Sequence, residues 1–316
     1  MYEDAIKAGG NAVVTGAASG VGRVAADRLA QAGLGVILAD LPGPQLDEAV
    51  AEVRAHAIGG ADVIGVATDV TRDADVEALA DTAFAAGPVA VLMNNAGIGM
   101  PTKAWAEMEN WRRLLDVNFM GVLRGIHAFL PRMIEADRPA VVVNTGSKQG
   151  ITTPPGNPGY NVSKAAVRVL TEQLAHELRV AGAPISAHLF VPGFTYTGMI
   201  ASFVPQKPTA AWTSEQTVDY FIARMSNGDF YILCPDNDVD ETRDGLVQCI
   251  QELGTEEGVL VLTDMFGGTP THVSLSLLKQ ENVEVVCGVN LPRVLKALGL
   301  RKALDLSDAA GQVAEG

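Results

Sequence analysis

Tyr160 and Lys164 are the residues whose types and spacing best fit acid–base chemistry in this sequence. Residues four apart lie on one face of a helix, so the spacing places a phenol beside an ammonium group. A nearby cation stabilises the phenolate and is expected to lower the pKa of the tyrosine, which could then exchange a proton with an alcohol or a ketone. Because Tyr-x-x-x-Lys is also common on surface helices, the interpretation depends on the rest of the chain.

Three further features bear on this helix. Ser147 stands thirteen positions before Tyr160 and follows the apolar run Val141–Val143. Asn118 closes an Asp-Val-Asn triplet, and the glycine-rich stretch Thr15–Gly22 follows a short apolar strand. Glycines let such a loop approach a pyrophosphate, whose charge is favoured by the exposed amides at the start of the next helix. Alone, this loop is equally well an ordinary glycine-rich turn.

Together these motifs resemble the short-chain dehydrogenase/reductase family, and the resemblance covers residues 10–238. It implies an α/β fold with a Rossmann-like, doubly wound parallel sheet of seven strands, and an NAD(P)-dependent enzyme that interconverts a secondary alcohol and a ketone. It further implies that Tyr160 exchanges the hydroxyl proton and that Ser147 binds the substrate oxygen. Lys164 would lower the pKa of Tyr160 and hold the nicotinamide ribose, and Asn118, at a kink in its helix, would maintain a water relay.

The resemblance also implies a set of cofactor contacts. Besides Tyr160 and Lys164, they are Gly16, Ser19, Gly20, Val21, Gly22, Asp40, Asp69, Val70, Asn95, Ala96, Gly97, Pro192, Gly193, Thr195 and Thr197. Asp40 ends an apolar strand, where its carboxylate can accept hydrogen bonds from both adenosine ribose hydroxyls and would repel a 2′-phosphate. Since the glycine-rich loop offers no cation for that phosphate, we predict NAD in preference to NADP. Thr195 replaces a more usual apolar residue of the family, which weakens one backbone contact.

Several of these side chains have structural alternatives. Asp40 could cap a helix after its strand, and Asp69 could cap the helix that follows it. Structural bracing between strands is the safer interpretation for Asn94 and Asn95. Asn118 could equally be a buried asparagine that satisfies backbone groups.

Seven apolar runs predict the strands of the sheet. They are Ala12–Val14, Val36–Ala39, Val63–Ala67, Val89–Met93, Val141–Asn144, Ile185–Val191 and Phe230–Leu233. Helical spacing over Trp105–Phe119 predicts a helix with Trp111, Leu114 and Leu115 on its inner face. A second helix is predicted from Tyr160 to Arg179, and the resemblance implies that it helps to form a homodimer or homotetramer.

Two segments are expected to enclose the substrate. The Pro- and Gly-rich run Thr152–Gly159 would form part of the pocket wall. Residues 198–225 would cover it and contain several large apolar side chains, namely Met199, Phe203, Trp212 and Phe221. These side chains suggest a hydrophobic alcohol or ketone as the small-molecule partner, although core packing explains them equally well.

A second resemblance begins after Asp238. The predicted strands Val259–Leu262 and Val283–Val286 lead into the motifs Asp-Met-Phe-Gly-Gly-Thr-Pro and Gly-Val-Asn-Leu-Pro. They resemble the enzyme IIA domain of mannose-type sugar phosphotransferase systems over residues 241–305. We therefore predict two domains: a catalytic domain over 1–238 and a partial α/β segment over 239–316.

Only the back half of that IIA domain has a counterpart here. The resemblance places the phosphorylated histidine in an earlier strand-to-helix loop, near the aspartate that corresponds to Asp264; His272 does not match it. Phosphotransfer by this chain is therefore not expected, although a sugar phosphotransferase component remains one alternative function. Half of a doubly wound unit leaves apolar faces uncovered. The segment would dock on the first domain, pair with another subunit or stay partly disordered. If it prevents productive assembly of the catalytic domain, the chain is an NAD-binding sensor or an impaired fusion, which is the other alternative function.

Composition narrows the functional classes. A net charge of −14 argues against binding to nucleic acid or to an anionic membrane. No apolar run reaches the roughly eighteen residues of a membrane helix, and the first ten residues lack the features of a secretory signal. Three scattered cysteines without Cys-x-x-Cys spacing favour neither a metal site nor disulfides. We expect a cytoplasmic protein.

Overall fold

The computed structural model describes residues 2–201, 204–209, 211–235, 250, 258–262, 283–286, 308, 310, 312 and 313. The chain divides into two compact units, Met1–Cys234 and Pro235–Gly316. Across those ranges, no helix combines the length and the apolar character needed to cross a bilayer.

The first unit contains a parallel sheet of seven strands, which confirms the predicted fold class. The strands are β1 (Asn11–Thr15), β2 (Gly35–Asp40), β3 (Val63–Ala67), β4 (Val89–Asn94), β5 (Ala140–Thr145), β6 (Ile185–Val191) and β7 (Tyr231–Leu233). Their order across the sheet is β3-β2-β1-β4-β5-β6-β7. Strands β1, β4 and β5 are buried along their whole length, because helices cover both faces of the sheet.

The helices of this unit pack on those two faces. They are α1 (Tyr2–Ala8), α2 (Gly20–Gln31), α3 (Pro44–His56), α4 (Asp73–Ala86), α5 (Met108–Leu115), α6 (Gly121–Glu135), α7 (Gln149–Thr152), α8 (Pro158–Ala181), α9 (Gly198–Ala201) and α10 (Ser214–Ser226). Alternate strand residues face opposite sides. Thus Val141 and Val143 belong to one hydrophobic cluster and Val142 to the other. The sequence analysis did not predict the helices α1, α3, α6, α7, α9 and α10.

The order of the strands reverses between β1 and β4, which lie side by side with Val14 opposite Met93. From this point the chain winds outward through β2 and β3 on one side and through β5 to β7 on the other. Such a switch point opens a crevice beyond the carboxyl ends of the strands, where doubly wound proteins bind ligands. The glycine-rich loop after β1 and the Asn95–Gly97 segment after β4 both begin there.

The helix predicted over Trp105–Phe119 differs from the observed one. Trp105 precedes it and is 85% exposed, and α5 begins only at Met108, after a left-handed Glu107. Leu114 is fully buried as predicted, but α5 runs into a π-helical turn over Asp116–Met120 and then into α6. A π-helical turn distorts a helix locally, which agrees with the kink expected at Asn118.

The segment predicted to cover the substrate is partly core. On α10, Phe221 is 2% exposed, and its ring lies 4.5 Å from that of Phe190. Trp212 packs against the same cluster and meets Tyr220 edge to face at 5.8 Å. Core packing, the alternative left open by the sequence, therefore accounts for both residues. Phe203 and the side chain of Met199 lie outside the described residues.

In the second unit, the two predicted strands are observed as β8 (Val259–Leu262) and β9 (Val283–Val286), and they form a parallel pair. Val286 packs with Ala310 and Val313 in a small hydrophobic cluster. Asp264, His272 and both loop motifs fall outside the described residues, as does the helix predicted over 241–253 except for Ile250, which is helical and packs with Val283.

Candidate active site

The loop between β1 and α2 has a backbone that requires glycine. Gly16 and Gly20 have φ values of +67° and +56°, in the left-handed region. A Cβ atom on Gly22 would lie 2.1 Å from the Gly16 carbonyl oxygen. Ser19 precedes α2 without capping it through its side chain, so α2 presents its first amides to the loop. The loop can therefore accept a phosphate at the helix N-terminus.

Asn95 braces this loop against the segment that follows β4. The Thr15 hydroxyl accepts hydrogen bonds from the backbone N–H groups of Asn95 and Ala96, at 2.9 and 3.1 Å. The Asn95 side chain donates to the carbonyl oxygens of Thr15 and Gly16 at 3.1 and 3.3 Å. Deeper in the sheet, Asn94 donates to Asn144 at 2.9 Å. These bonds agree with the bracing interpretation of both asparagines, whereas the role of Thr15 escaped the sequence analysis.

Asp40 lies at the end of β2 beside the glycine-rich loop. One carboxylate oxygen accepts the N–H of Ala18 and the other accepts the N–H of Leu41, both at 2.8 Å. The following helix begins at Pro44 with Gly43 as its N-cap, so Asp40 does not cap it. The half-buried carboxylate is instead held in place by backbone donors.

Asp69 and Val70 follow β3. The Asp69 carboxylate accepts hydrogen bonds from the N–H and the hydroxyl of Thr71, which lowers its pKa. Arg72 is the N-cap residue of α4, so the alternative in which Asp69 caps that helix is wrong. Val70 contacts Gly121, where a Cβ atom would lie 3.0 Å from Val70 Cγ2.

Asn118 is fully buried in the π-helical turn. Its side chain accepts the N–H of Ile98 at 2.8 Å and donates to the Ile98 carbonyl at 3.0 Å. It also donates to the Ser163 hydroxyl at 3.1 Å, which in turn donates to the Tyr160 carbonyl at 2.8 Å. Asn118 thus satisfies the backbone groups of Ile98, which agrees with its interpretation as a buried structural asparagine. It also links the π-helical turn to α8. Ser163 is a further link that sequence reasoning missed.

Lys164 points into the protein from α8 and is 4% exposed. Its ammonium donates to the Thr145 carbonyl at 2.9 Å. A Cβ atom on Gly97 would lie 3.5 Å from Lys164 Nζ and 3.4 Å from Asn118 Oδ1, so all three groups are neighbours. Burial penalises the charged form and lowers the pKa of Lys164 to about 8.

Tyr160 forms a side-chain hydrogen bond with Ser147. Burial raises the pKa of Tyr160 above its ordinary value, and the Ser147 hydrogen bond opposes that rise. The expectation that Lys164 lowers this pKa is wrong for the structure, in which Lys164 Nζ lies 5.9 Å from the centre of the tyrosine ring and bonds to Thr145. The structure nevertheless brings Ser147, Tyr160 and Lys164 into one cluster.

The segment after β6 returns to the glycine-rich loop. A Cβ atom on Gly20 would lie 3.3 Å from Thr197 Cγ2, so Thr197 contacts the loop. Thr195 is 7% exposed, and its hydroxyl shares a 2.9 Å hydrogen bond with the hydroxyl of Thr217 on α10. Because its hydroxyl has this hydrogen-bond partner, Thr195 can be buried at a position where the family usually has an apolar residue. Pro192 and Gly193 lie directly after the strand.

An open cleft of about 520 Å³ adjoins the start of α8. It is lined by two loop segments and one face of the helix, namely residues 102–105, 153–156 and 158 with Asn161, Val162 and Ala165. Tyr160 and Lys164 do not line it, although they lie on the same helix.

Residues 10–208 match the family model described as short chain dehydrogenase. The chain belongs to the short-chain dehydrogenase family. It is therefore an NAD(P)-dependent oxidoreductase that acts on a small molecule.

Similar proteins and solved structures align with 70–77% of this short-chain dehydrogenase chain. It is 36% identical over 230 residues to 1-deoxy-11-beta-hydroxypentalenate dehydrogenase of Streptomyces avermitilis, a match covering 70% of this chain and 83% of the relative. A short-chain dehydrogenase from Burkholderia phymatum in complex with NAD superposes with a TM-score of 0.65 at 37% identity, over 71% of this chain and 88% of that one. One from Sphingobium yanoikuyae in complex with NADPH has the same TM-score at 26% identity, over 77% and 94%.

Residues 216–314 match the family model described as PTS system fructose IIA component, which confirms the second resemblance but over a longer range than the predicted 241–305. The match begins inside α10 and includes β7. Both elements lie in the first unit, where β7 pairs with β6 as the seventh strand. The similarity to the IIA component therefore begins before the first unit ends.

Proposed function

We propose that this short-chain dehydrogenase interconverts a secondary alcohol and a ketone, with NAD as its cofactor. The observation that carries the proposal is the position of the buried Lys164 ammonium 5.9 Å from the centre of the Tyr160 ring, with Ser147 as the side chain that interacts with the phenol. This cluster adjoins Gly97, which follows the carboxyl end of β4 at the point where the order of the strands reverses. A proton-exchanging group is thus close to the crevice in which such a fold binds a nucleotide.

The residues around the crevice fit a nicotinamide dinucleotide. The left-handed glycines leave room for a pyrophosphate against α2, and the fixed carboxylate of Asp40 suits ribose hydroxyls. We assign the cofactor contacts to Gly16, Ser19, Gly20, Val21, Gly22, Asp40, Asp69, Val70, Asn95, Ala96, Gly97, Tyr160, Lys164, Pro192, Gly193, Thr195 and Thr197. When bound, the nicotinamide supplies or accepts the hydride.

Tyr160 handles the proton in this mechanism. In alcohol oxidation its phenolate oxygen accepts the hydroxyl proton, and in ketone reduction its phenol donates that proton to the carbonyl oxygen. Ser147 donates a hydrogen bond to the same substrate oxygen. Because burial raises the pKa of Tyr160, the phenol form dominates at neutral pH and reduction needs no prior deprotonation.

Lys164 and Asn118 support that proton transfer. The ammonium of Lys164 binds the nicotinamide ribose. Asn118 holds the π-helical turn against Ile98 and Ser163, and so maintains the water relay to Lys164. These two residues thereby complete a catalytic set with Ser147 and Tyr160.

The substrate is proposed to be hydrophobic. The cleft at the start of α8 includes Ala104, Trp105 and the prolines 154, 155 and 158. The relative from Streptomyces avermitilis is named for the oxidation of a hydroxypentalenate. We further propose a homodimer or homotetramer, supported by the exposure of Val169 (47%) and Val180 (73%) on α8. We also propose a cytoplasmic location.

The proposal is tested with the purified full chain, NAD and a panel of apolar secondary alcohols. We expect NADH formation with at least one of them, followed by its absorbance, and ketone reduction with NADH in the reverse direction. NAD binding without turnover on the whole panel would instead favour the sensor or impaired-fusion alternative. Labelling of a histidine by a phosphorylated carrier protein would favour the phosphotransferase alternative.

Replacing Asp40 with asparagine is expected to shift cofactor preference from NAD towards NADP. A hydrogen bond to a charged group contributes about 1.5–3 kcal/mol, so kcat/KM for NAD is expected to fall by roughly tenfold to a hundredfold. The value for NADP is expected to rise because the repulsion of the 2′-phosphate is removed. Initial rates with both cofactors measure the ratio.

The matched control is Asp47→Asn, which removes an exposed carboxylate of α3. Its NAD/NADP ratio is expected to equal that of the wild type. Equal use of NAD and NADP by the wild type would contradict the assignment of Asp40.

A further inference from the structure

The helix that carries Tyr160 has no cap from its own N-terminal residue. Asn157 is the N-cap residue of α8, but its side chain makes no capping hydrogen bond. Pro158 has no N–H, so the first amide in need of a partner is that of Gly159. It donates to the hydroxyl of Thr102, 57 residues earlier in the chain, at 2.9 Å. The cap of α8 is therefore supplied by a distant segment.

Thr102 is built into this contact. It is 4% exposed, and its hydroxyl donates in turn to the side-chain oxygen of Asn157 at 2.8 Å. One hydroxyl thus binds both the helix and the residue before it. A Cβ atom on Gly159 would lie 2.9 Å from Thr102 Oγ1 and 3.1 Å from Leu114 Cδ1, so the helix start packs directly against both residues.

The loop that carries Thr102 is itself held in place. Four residues before Thr102, both backbone groups of Ile98 bond to the Asn118 side chain. Asn118 also reaches α8 through Ser163, whose hydroxyl bonds to the Tyr160 carbonyl. The first turn of α8 is therefore fixed from two directions, by Asn118 on one side and by Thr102 on the other.

We propose that Thr102 is a positioning residue for Tyr160, acting through Gly159. It fixes the first turn of α8, and with it the distance between the phenol oxygen of Tyr160 and the Ser147 hydroxyl. The inference rests on the proposed function, since it concerns the group assigned to proton transfer. A displacement of about 1 Å at a reacting group can cost roughly a hundredfold in rate.

The test compares Thr102→Val with Thr102→Ser in the full chain. Valine keeps the shape and removes the hydroxyl, so kcat is expected to fall by roughly tenfold to a hundredfold, with the Kd of NAD within about twofold. Serine keeps the hydroxyl and is expected to retain kcat within about threefold. The matched control is Thr82→Val, which removes a hydroxyl bonded to its own helix on α4 and is expected to leave kcat unchanged.

Hydrogen exchange provides a readout that is independent of turnover. In Thr102→Val, exchange is expected to rise in peptides covering residues 158–163 and to stay unchanged in the later turns of α8. Wild-type kcat in the valine variant, or unchanged exchange at 158–163, overturns the proposal. If no alcohol is turned over by the wild type, the proposed function fails, and the exchange result still supports or overturns the positioning role. If the valine variant does not fold, a kcat loss beyond tenfold in Thr102→Ser overturns the proposal.

Discussion

Replacing Tyr160 with phenylalanine is expected to reduce kcat by about a thousandfold or more while the Kd of NAD stays within about threefold. The substitution removes only the phenol oxygen, which is the atom proposed to exchange the proton and the partner of Ser147. Most of the proposed nucleotide contacts lie elsewhere, for example on the glycine-rich loop and at Asp40. Steady-state rates and fluorescence titration with NADH measure the two quantities separately.

Tyr231→Phe is the matched control for Tyr160→Phe. Its hydroxyl bonds to Glu172 at 2.9 Å on the edge strand β7, and its side chain is 48% exposed. The control is expected to keep the wild-type kcat. Substantial turnover by Tyr160→Phe would show that another group exchanges the proton.

Replacing Lys164 with methionine is expected to abolish turnover and to stabilise the first unit. Burial lowers the pKa of Lys164 from 10.5 to about 8, which corresponds to about 3 kcal/mol against the folded charged form at neutral pH. Loss of the hydrogen bond from this charged donor to the Thr145 carbonyl offsets about 1.5–3 kcal/mol of the gain. We therefore expect the free energy of unfolding at pH 7 to rise by about 1 kcal/mol, while kcat falls by about a hundredfold or more.

The pH dependence provides a second check on Lys164. Between pH 8 and 10.5 the unfolded chain binds a proton that the folded chain has lost, so the free energy of unfolding of the wild type is expected to rise with pH. The methionine variant is expected to lack this rise. Urea unfolding followed by tryptophan fluorescence measures it, because Trp105, Trp111 and Trp212 all lie in the first unit.

Lys7→Met serves as the control for that experiment, since Lys7 is exposed on α1. It is expected to change the free energy of unfolding by less than about 0.5 kcal/mol. A Lys164→Met variant less stable than the wild type at pH 7 would contradict the proposed cost of burying this ammonium. Such a cost is typical of functional sites, where activity is obtained at the expense of stability.

Local patterns in the sequence were sufficient to predict the strands of the first unit, whereas the resemblance to the family implied their arrangement in one sheet. The apolar runs are short and bounded by glycine, asparagine or aspartate, and each predicted strand matches an observed one within about two residues. The glycine-rich loop was also recognisable, because the left-handed φ values of Gly16 and Gly20 can be adopted without strain only by glycine. The start of α5 was not predictable in this way, since Trp105 has helical spacing but lies on an exposed loop.

The chain's own sequence thus determined the seven strands of the first unit, the glycine-rich loop and the spacing of Tyr160 and Lys164 on one helix. The folded structure alone established the direction of the Tyr160 pKa and the hydroxyl of Thr102 that caps α8. The physical reason is the range of the interactions. Helix and strand propensities act between neighbours, whereas desolvation and hydrogen bonds between distant segments depend on which parts of the chain pack together.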